Sequence, residues 1–145
     1  MDAGLTTASP VTDRHRPVAW RRYHDLTNAT FLTTAASICP KVRRAIAYIE
    51  HNYHRRVTLQ CVGVQVGFHP NHLCRVFREQ LGLSFHEYLL QVRLKKAIRL
   101  LVHSDYPIKA VGYWVGFGSP EQFSKVFTRW IRCTPRAFRE QYRYQ

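Results

Sequence analysis

Two stretches of this chain, residues 58–82 and 107–135, are written to one plan. Val66-Gly67-Phe68 recurs 49 residues later as Val115-Gly116-Phe117, and Arg75-Val76-Phe77 recurs 50 residues later as Lys125-Val126-Phe127. One residue is therefore gained between the two landmarks of the second copy. Each copy reads as a short helix, a glycine-containing turn and a longer helix, the pattern of a helix-turn-helix unit. A chain of 145 residues carrying two such units has room for one domain or two very small ones sharing an element.

The charge sits on the repeated region. Residues 1–40 contribute four arginines against three aspartates, so nearly all of the net charge of +13 belongs to residues 41–145. A protein this basic is drawn to polyanions, either nucleic acid or an anionic membrane surface. No apolar run approaches the roughly 18 residues of a membrane span. The start, Met1-Asp2-Ala3-Gly4, lacks the basic and apolar regions of a secretion signal. Cys39, Cys61, Cys74 and Cys133 show no close pairing, which favours free thiols in a reducing cytoplasm. No catalytic constellation is visible, and no enzyme, cofactor or metal is expected.

Residues 1–40 read as a disordered or weakly helical extension, with a weak helical pattern around Ala19–Leu26. From residue 41 the periodicity sharpens, giving a first helix to about 54. Thr58 is a good N-cap for a short helix that turns Leu59, Val62 and Val66 inward and ends at Gly67. Pro70 suits the first turn of the next helix, whose buried stripe is Leu73, Val76, Phe77 and Leu81, stopped by Gly82. Ser84 and Glu87 form a capping box that opens the longest helix, to about His103. Its inner face is expected to carry Tyr88, Leu89, Val92, Ala97, Leu100 and Leu101. The plan then repeats with Ile108, Val111 and Val115, a turn at Gly116, and a cap at Ser119 with Pro120 and a capping-box Gln122. Phe123, Val126, Phe127 and Ile131 form the second stripe, and Thr134-Pro135 starts a last helix to about Tyr142. The expected fold is all-α: about seven helices, in two helix-turn-helix subdomains (about 41–83 and 107–142) joined by a long central helix (about 84–103).

This arrangement resembles the DNA-binding domain of the AraC/XylS family of bacterial transcription regulators over residues 41–142. The carriers are Thr58-Leu59, Val66-Gly67-Phe68, His72-Leu73-Cys74-Arg75-Val76-Phe77, Gly82, Arg93-Leu94 with Ala97 and Leu100-Leu101, Val115-Gly116-Phe117, Phe123-Ser124-Lys125-Val126-Phe127 and Thr134-Pro135. The resemblance implies double-stranded DNA as partner, contact with RNA polymerase, an activator's role and a place at the bacterial nucleoid. Most full-length members add a separate effector or dimerisation domain, for which forty leading residues leave no room. With Met1 as the natural start, the chain looks like the small stand-alone type that binds DNA as a monomer. It departs from the family at Gly63 and Gly112, where Ala is usual, at Arg132, where Gly is usual, and at Pro107, where a polar cap is common. Glycine inside a helix costs about 0.5–1 kcal/mol against alanine, so a modestly stable domain is expected. At Arg132 the turn is expected to be strained or reshaped.

The third and sixth helices are the recognition helices. With Leu73, Val76 and Phe77 buried, the opposite face of the third carries Asn71, Cys74, Arg75 and Arg78. The family places base contacts at the positions of Asn71, Cys74 and Arg75. Asn71 can pair with adenine, and Arg75 can fork onto guanine O6 and N7 or remain a solvated surface arginine. Cys74 reads as a small side chain permitting close approach, and Arg78 as a phosphate contact. On the sixth helix the matching face is Pro120, Glu121, Ser124, Lys125, Thr128 and Arg129. Glu121, Ser124 and Lys125 stand at base-contact positions, with Thr128 and Arg129 on phosphate. Lys125 can equally grip phosphate, and Glu121 can either accept from cytosine N4 or serve as a first-turn acid favoured by the helix dipole. The first unit is expected to dominate sequence discrimination. Lys95, Lys96 and Arg99 lie on the central helix, with no aim readable from periodicity.

Three rival readings remain at this level. Charge alone permits a sequence-blind nucleic-acid binder, or a truncated competitor for regulator sites. His51, His54, His69, His72 and the four cysteines raise a zinc-dependent, methyl-accepting DNA-repair protein, although such a module needs clustered thiolates and Cys39 stands alone. Trp114 and Trp130 read as partly buried packing residues, or as an exposed patch for RNA polymerase.

Overall fold

The computed structural model describes residues 38–143. The weak helical pattern at 19–26, and nearly all of the expected extension, lie outside them. Seven helices and no strand occur among the described residues: α1 (Pro40–Asn52), α2 (Leu59–Val66), α3 (Pro70–Leu81), α4 (Phe85–His103), α5 (Ile108–Trp114), α6 (Pro120–Ile131) and α7 (Pro135–Tyr142).

The helix starts are made by the local chemistry of their caps. Thr58 and Thr134 each accept a backbone N–H three residues on with the side-chain oxygen. Ser84 and Glu87 complete their reciprocal box, the Ser84 N–H donating to Glu87 Oε2 at 2.7 Å. The second box departs from expectation. Ser119 caps α6 by accepting from the Gln122 N–H, but Gln122 Oε1 accepts from the Gly118 N–H, not from Ser119. Gly118 is the residue gained in the second copy, and the Gln122 side chain closes the lengthened turn. Pro107 precedes α5 without any side-chain cap.

Two hydrophobic cores result, one per helix-turn-helix unit. Val42, Ile49, Val62, Leu73 and Phe77 centre the first. Val111, Phe123, Phe127, Ile131 and Phe138 centre the second. Helix α4 serves both. Phe85, Tyr88, Leu89 and Val92 enter the first core, and Leu94, Ala97, Ile98 and Leu101 enter the second. Leu94 follows Phe85 by nine residues, two and a half turns at about 3.6 residues per turn. The two buried stripes therefore lie on opposite faces of one helix. The expected single inner face omitted Phe85, Leu94 and Ile98 and included Leu100, which is only half-buried. A helix flanked by two cores in succession has no single stripe to find.

The glycine expectation also changes. A Cβ on Gly63 would stand 2.5 Å from the Phe68 carbonyl oxygen, and one on Gly112 would stand 3.0 Å from Phe123 Cβ. Both glycines sit where each unit's short helix meets its own turn or recognition helix, so alanine is not the better residue in this packing. Arg132 bears out the strained turn: it takes a left-handed φ of 69°, matching the 68° of Gly82 at the equivalent position of the first unit.

Candidate nucleic-acid interface

Helices α3 and α6 present matched faces. Each begins with proline in its first turn after a capping side chain, His69 for α3 and Ser119 for α6. The His69 cap was not anticipated; its Nδ1 accepts the Asn71 N–H at 3.3 Å. Each helix buries one stripe, Leu73, Val76 and Phe77 on α3 and Phe123, Phe127 and Ile131 on α6. The opposite stripe is then left to solvent by the 3.6-residue period.

Every sequence-predicted site residue falls on these outward faces. On α3, Asn71, Arg75 and Arg78 are exposed and Cys74 is half-buried between them. On α6, Glu121, Lys125 and Arg129 are exposed while Ser124 and Thr128 are half-buried. These half-buried residues are small, and the long side chains beside them are exposed. Arg75 Nη2 lies 3.1 Å from His72 Nδ1, and the His72 ring meets Phe68 edge-on at 4.6 Å between centroids. Arg75 is thus braced by the His72 ring, and among the described residues neither it, Lys125 nor Arg129 enters an ion pair. Their charges are available to a polyanion.

Other basic residues are committed within the fold. Lys41 and Arg44 donate to the carbonyls of Gly67 and Gln65 at the end of α2, and Lys41 Nζ also sits 4.6 Å from the Phe68 ring centroid. An open cleft of about 590 Å³ between α5 and α7 is lined by Lys109, Arg136, Arg139 and Arg143. There Arg139 donates to the Leu101 and Tyr106 carbonyls, Arg136 pairs with Glu140, and Arg143 pairs with Asp105. On α4, Arg99 is exposed, Lys96 lies over the Tyr53 ring at 5.5 Å, and burial lowers the Lys95 pKa against the opposing pull of Glu50. Trp130 packs against the second core as expected. Trp114 does not: it is 50% exposed and stacks edge-on with Tyr106 on the outer side of α5. Among the described residues no three His, Cys, Asp or Glu side chains gather to hold a metal ion, and no helix is long and apolar enough to cross a membrane.

Two capped helices with cationic outer faces, each in a unit that packs its core on its own face of one connecting helix, define a double helix-turn-helix domain. A family model described as a helix-turn-helix domain matches residues 62–141, more than half of the chain. The chain belongs to the AraC/XylS family of transcription regulators, a family of DNA-binding proteins and not of enzymes. It is similar to the lactose operon transcription activator of Staphylococcus xylosus, with 31% identity over 101 residues, 70% of this chain and 36% of that protein. Among solved structures it is similar to a transcriptional regulator of AraC type from Chromobacterium violaceum, with 31% identity and a TM-score of 0.69 over 73% of this chain and 94% of that one. It is also similar to the DNA-binding domain of the global transcriptional factor AdpA in complex with a target DNA, with 27% identity and a TM-score of 0.67 over 72% of this chain and 93% of that one. The chain spans about a third of the length of the curated relatives it matches.

Proposed function

We propose that this protein reads specific sequences in double-stranded DNA, laying α3 and α6 into successive major grooves on one face of the duplex, and that it activates transcription. The observation that carries the reading is the matched pair of recognition faces on a single chain. The 19 residues of α4 span about 28 Å at 1.5 Å per residue. That is close to the turn of about 34 Å separating successive major grooves. One chain then supplies what a dimer of single helix-turn-helix units supplies elsewhere, so the protein acts as a monomer on DNA.

In this reading residues 41–83 and 107–142 are the two DNA-binding units and 84–103 the linker. Asn71, Cys74 and Arg75 meet base edges in one groove, and Glu121, Ser124 and Lys125 in the other. Arg78, Thr128 and Arg129 hold phosphates and set register without reading sequence. The activator's role, contact with RNA polymerase and a cytoplasmic location follow the resemblance and the named activator among the relatives.

The test is selection of bound duplexes from a random pool at stated salt, with wild type and Arg75→Ala in parallel. The expected product is a motif of two blocks about one helical turn apart, with one block degraded by the substitution. Loss of a bidentate arginine contact relaxes that position by about 1–3 kcal/mol. A pool that never enriches would instead identify a nonspecific binder, or a DNA-binding unit that needs a partner domain.

A further inference from the structure

Arg93 stands where the buried stripe of α4 changes sides, between Val92 in the first core and Leu94 in the second. Its guanidinium Nε donates to the Tyr53 carbonyl at 2.9 Å and its Nη2 to the Arg55 carbonyl at 3.0 Å. Both carbonyls belong to the first unit, in the turn after α1. The same guanidinium lies 5.9 Å from the ring centroid of Phe117, which belongs to the second unit. Beside Phe117, Gly116 holds a left-handed φ of 99°, and a Cβ there would stand 2.5 Å from the Tyr53 carbonyl oxygen and 2.9 Å from Arg93 Nε.

The Tyr53 carbonyl is therefore gripped from two sides: Arg93 donates to it, and the bare Cα of Gly116 abuts it. Tyr53 contributes its ring as well, packing against both hydrophobic cores. This seam joins the two units directly, at the border between the two faces of α4 against which they pack. Chemistry favours arginine at its centre. A planar fork presents two fixed donors to two carbonyls at once, which a lysine ammonium on a flexible stem does not reproduce. Hydrogen bonds from a charged donor are also stronger than neutral ones.

We infer that Arg93 is a positioning residue: by clamping the Tyr53 and Arg55 carbonyls against the Gly116 turn, it fixes the two helix-turn-helix units relative to each other and so sets the spacing at which two DNA blocks are read. The consequence for DNA rests on the two-groove reading above; the clamp itself does not. The bound protein behaves as two tethered binding modules, whose joint affinity depends on how well their geometry matches the span.

The experiment has two arms, on wild type, Arg93→Ala, Arg93→Lys and Gly116→Ala. In the first, backbone residual dipolar couplings are measured on the free protein. Wild type is expected to fit one alignment tensor across both units. Arg93→Ala is expected to need two, with couplings inside each unit still fitting its own structure, so that loss of clamping is distinguished from loss of folding. Gly116→Ala, which wedges a methyl group into the seam, serves as the second variant with the same expected outcome. In the second arm, affinities are measured for duplexes whose two blocks are set at the selected spacing and one base pair closer or farther. Arg93→Ala is expected to lose about tenfold or more at the selected spacing, a part of the 10²–10⁴ that linkage can contribute, and to bind the three spacings alike. Arg93→Lys is expected to fall between. A single shared tensor in Arg93→Ala overturns the inference, as does a spacing preference unchanged from wild type. A wild type with one tensor and no spacing preference would instead defeat the two-groove reading and leave the clamp standing.

Discussion

At the scale of single residues, the chain shows which positions answer to backbone geometry and which to side-chain chemistry. Arg132 is the clearest case. It is the one non-glycine residue with positive φ among the described residues, and it is exposed, so no packing requires the arginine side chain. The left-handed region costs an L-residue about 1–2 kcal/mol, partly offset because glycine loses more freedom on folding. Arg132→Gly is therefore expected to stabilise the protein by about 0.5–1 kcal/mol in urea unfolding. Arg132→Ala, which removes the charge but keeps the Cβ, is expected to change little. Equal effects from the two substitutions would assign the change to charge and not to φ. The strain was legible in the sequence because the family that the chain resembles usually has glycine at the position of Arg132. The fit of Gly63 was not readable, because the atom that fills its Cβ position is a backbone oxygen five residues on that only the folded turn brings there.

At the scale of elements, local rules were legible and relations across distance were not. The caps at Thr58, Ser84 and Thr134 follow from three or four consecutive residues and form as expected. The outward faces of α3 and α6 follow from a single buried stripe each. Gln122 reached one residue further back because the turn had lengthened by Gly118, and α4 buried two faces because it borders two cores. The Arg93 seam joins residues about forty positions apart, beyond any periodicity. The capping box that opens α4 also carries a pH signature. The hydrogen bond from the Ser84 backbone N–H, then that of its side chain, hold the Glu87 carboxyl below the ordinary glutamate range. A depressed folded pKa means the contribution to stability is complete above the unfolded value and is lost as pH falls through the folded one. In urea unfolding, the stability of wild type relative to Glu87→Gln is expected to be constant near neutrality and to decline below about pH 4.3. A difference that does not move with pH would show that the carboxylate's charge contributes nothing to the box.

At the scale of the whole molecule, the net charge of +13 is a property that composition alone could display but not apportion. The structure divides it. Lys41, Arg44, Arg93 and Arg139 are spent on backbone carbonyls, whereas Arg75, Arg78, Lys125 and Arg129 line the outward recognition faces. Phosphate contacts release condensed counterions, so each lowers affinity with added salt by a fixed increment, while contacts to neutral base edges do not. Six to ten such contacts would reduce affinity by about 10³–10⁵ between 50 and 200 mM salt. Arg78→Ala and Arg129→Ala are expected to weaken binding to all sequences alike and to make the slope of log K against log salt shallower by about one each. Asn71→Ala is expected to relax one base position and leave the slope where it was. Lys125→Ala separates the two roles open to that residue, since a phosphate contact changes the slope and a purely base contact changes selectivity. If Asn71→Ala were to shift the slope as far as Arg78→Ala does, the division of α3 into a base-reading edge and a phosphate-holding end would be wrong, and the helix would lie along the backbone of the duplex instead of in its groove.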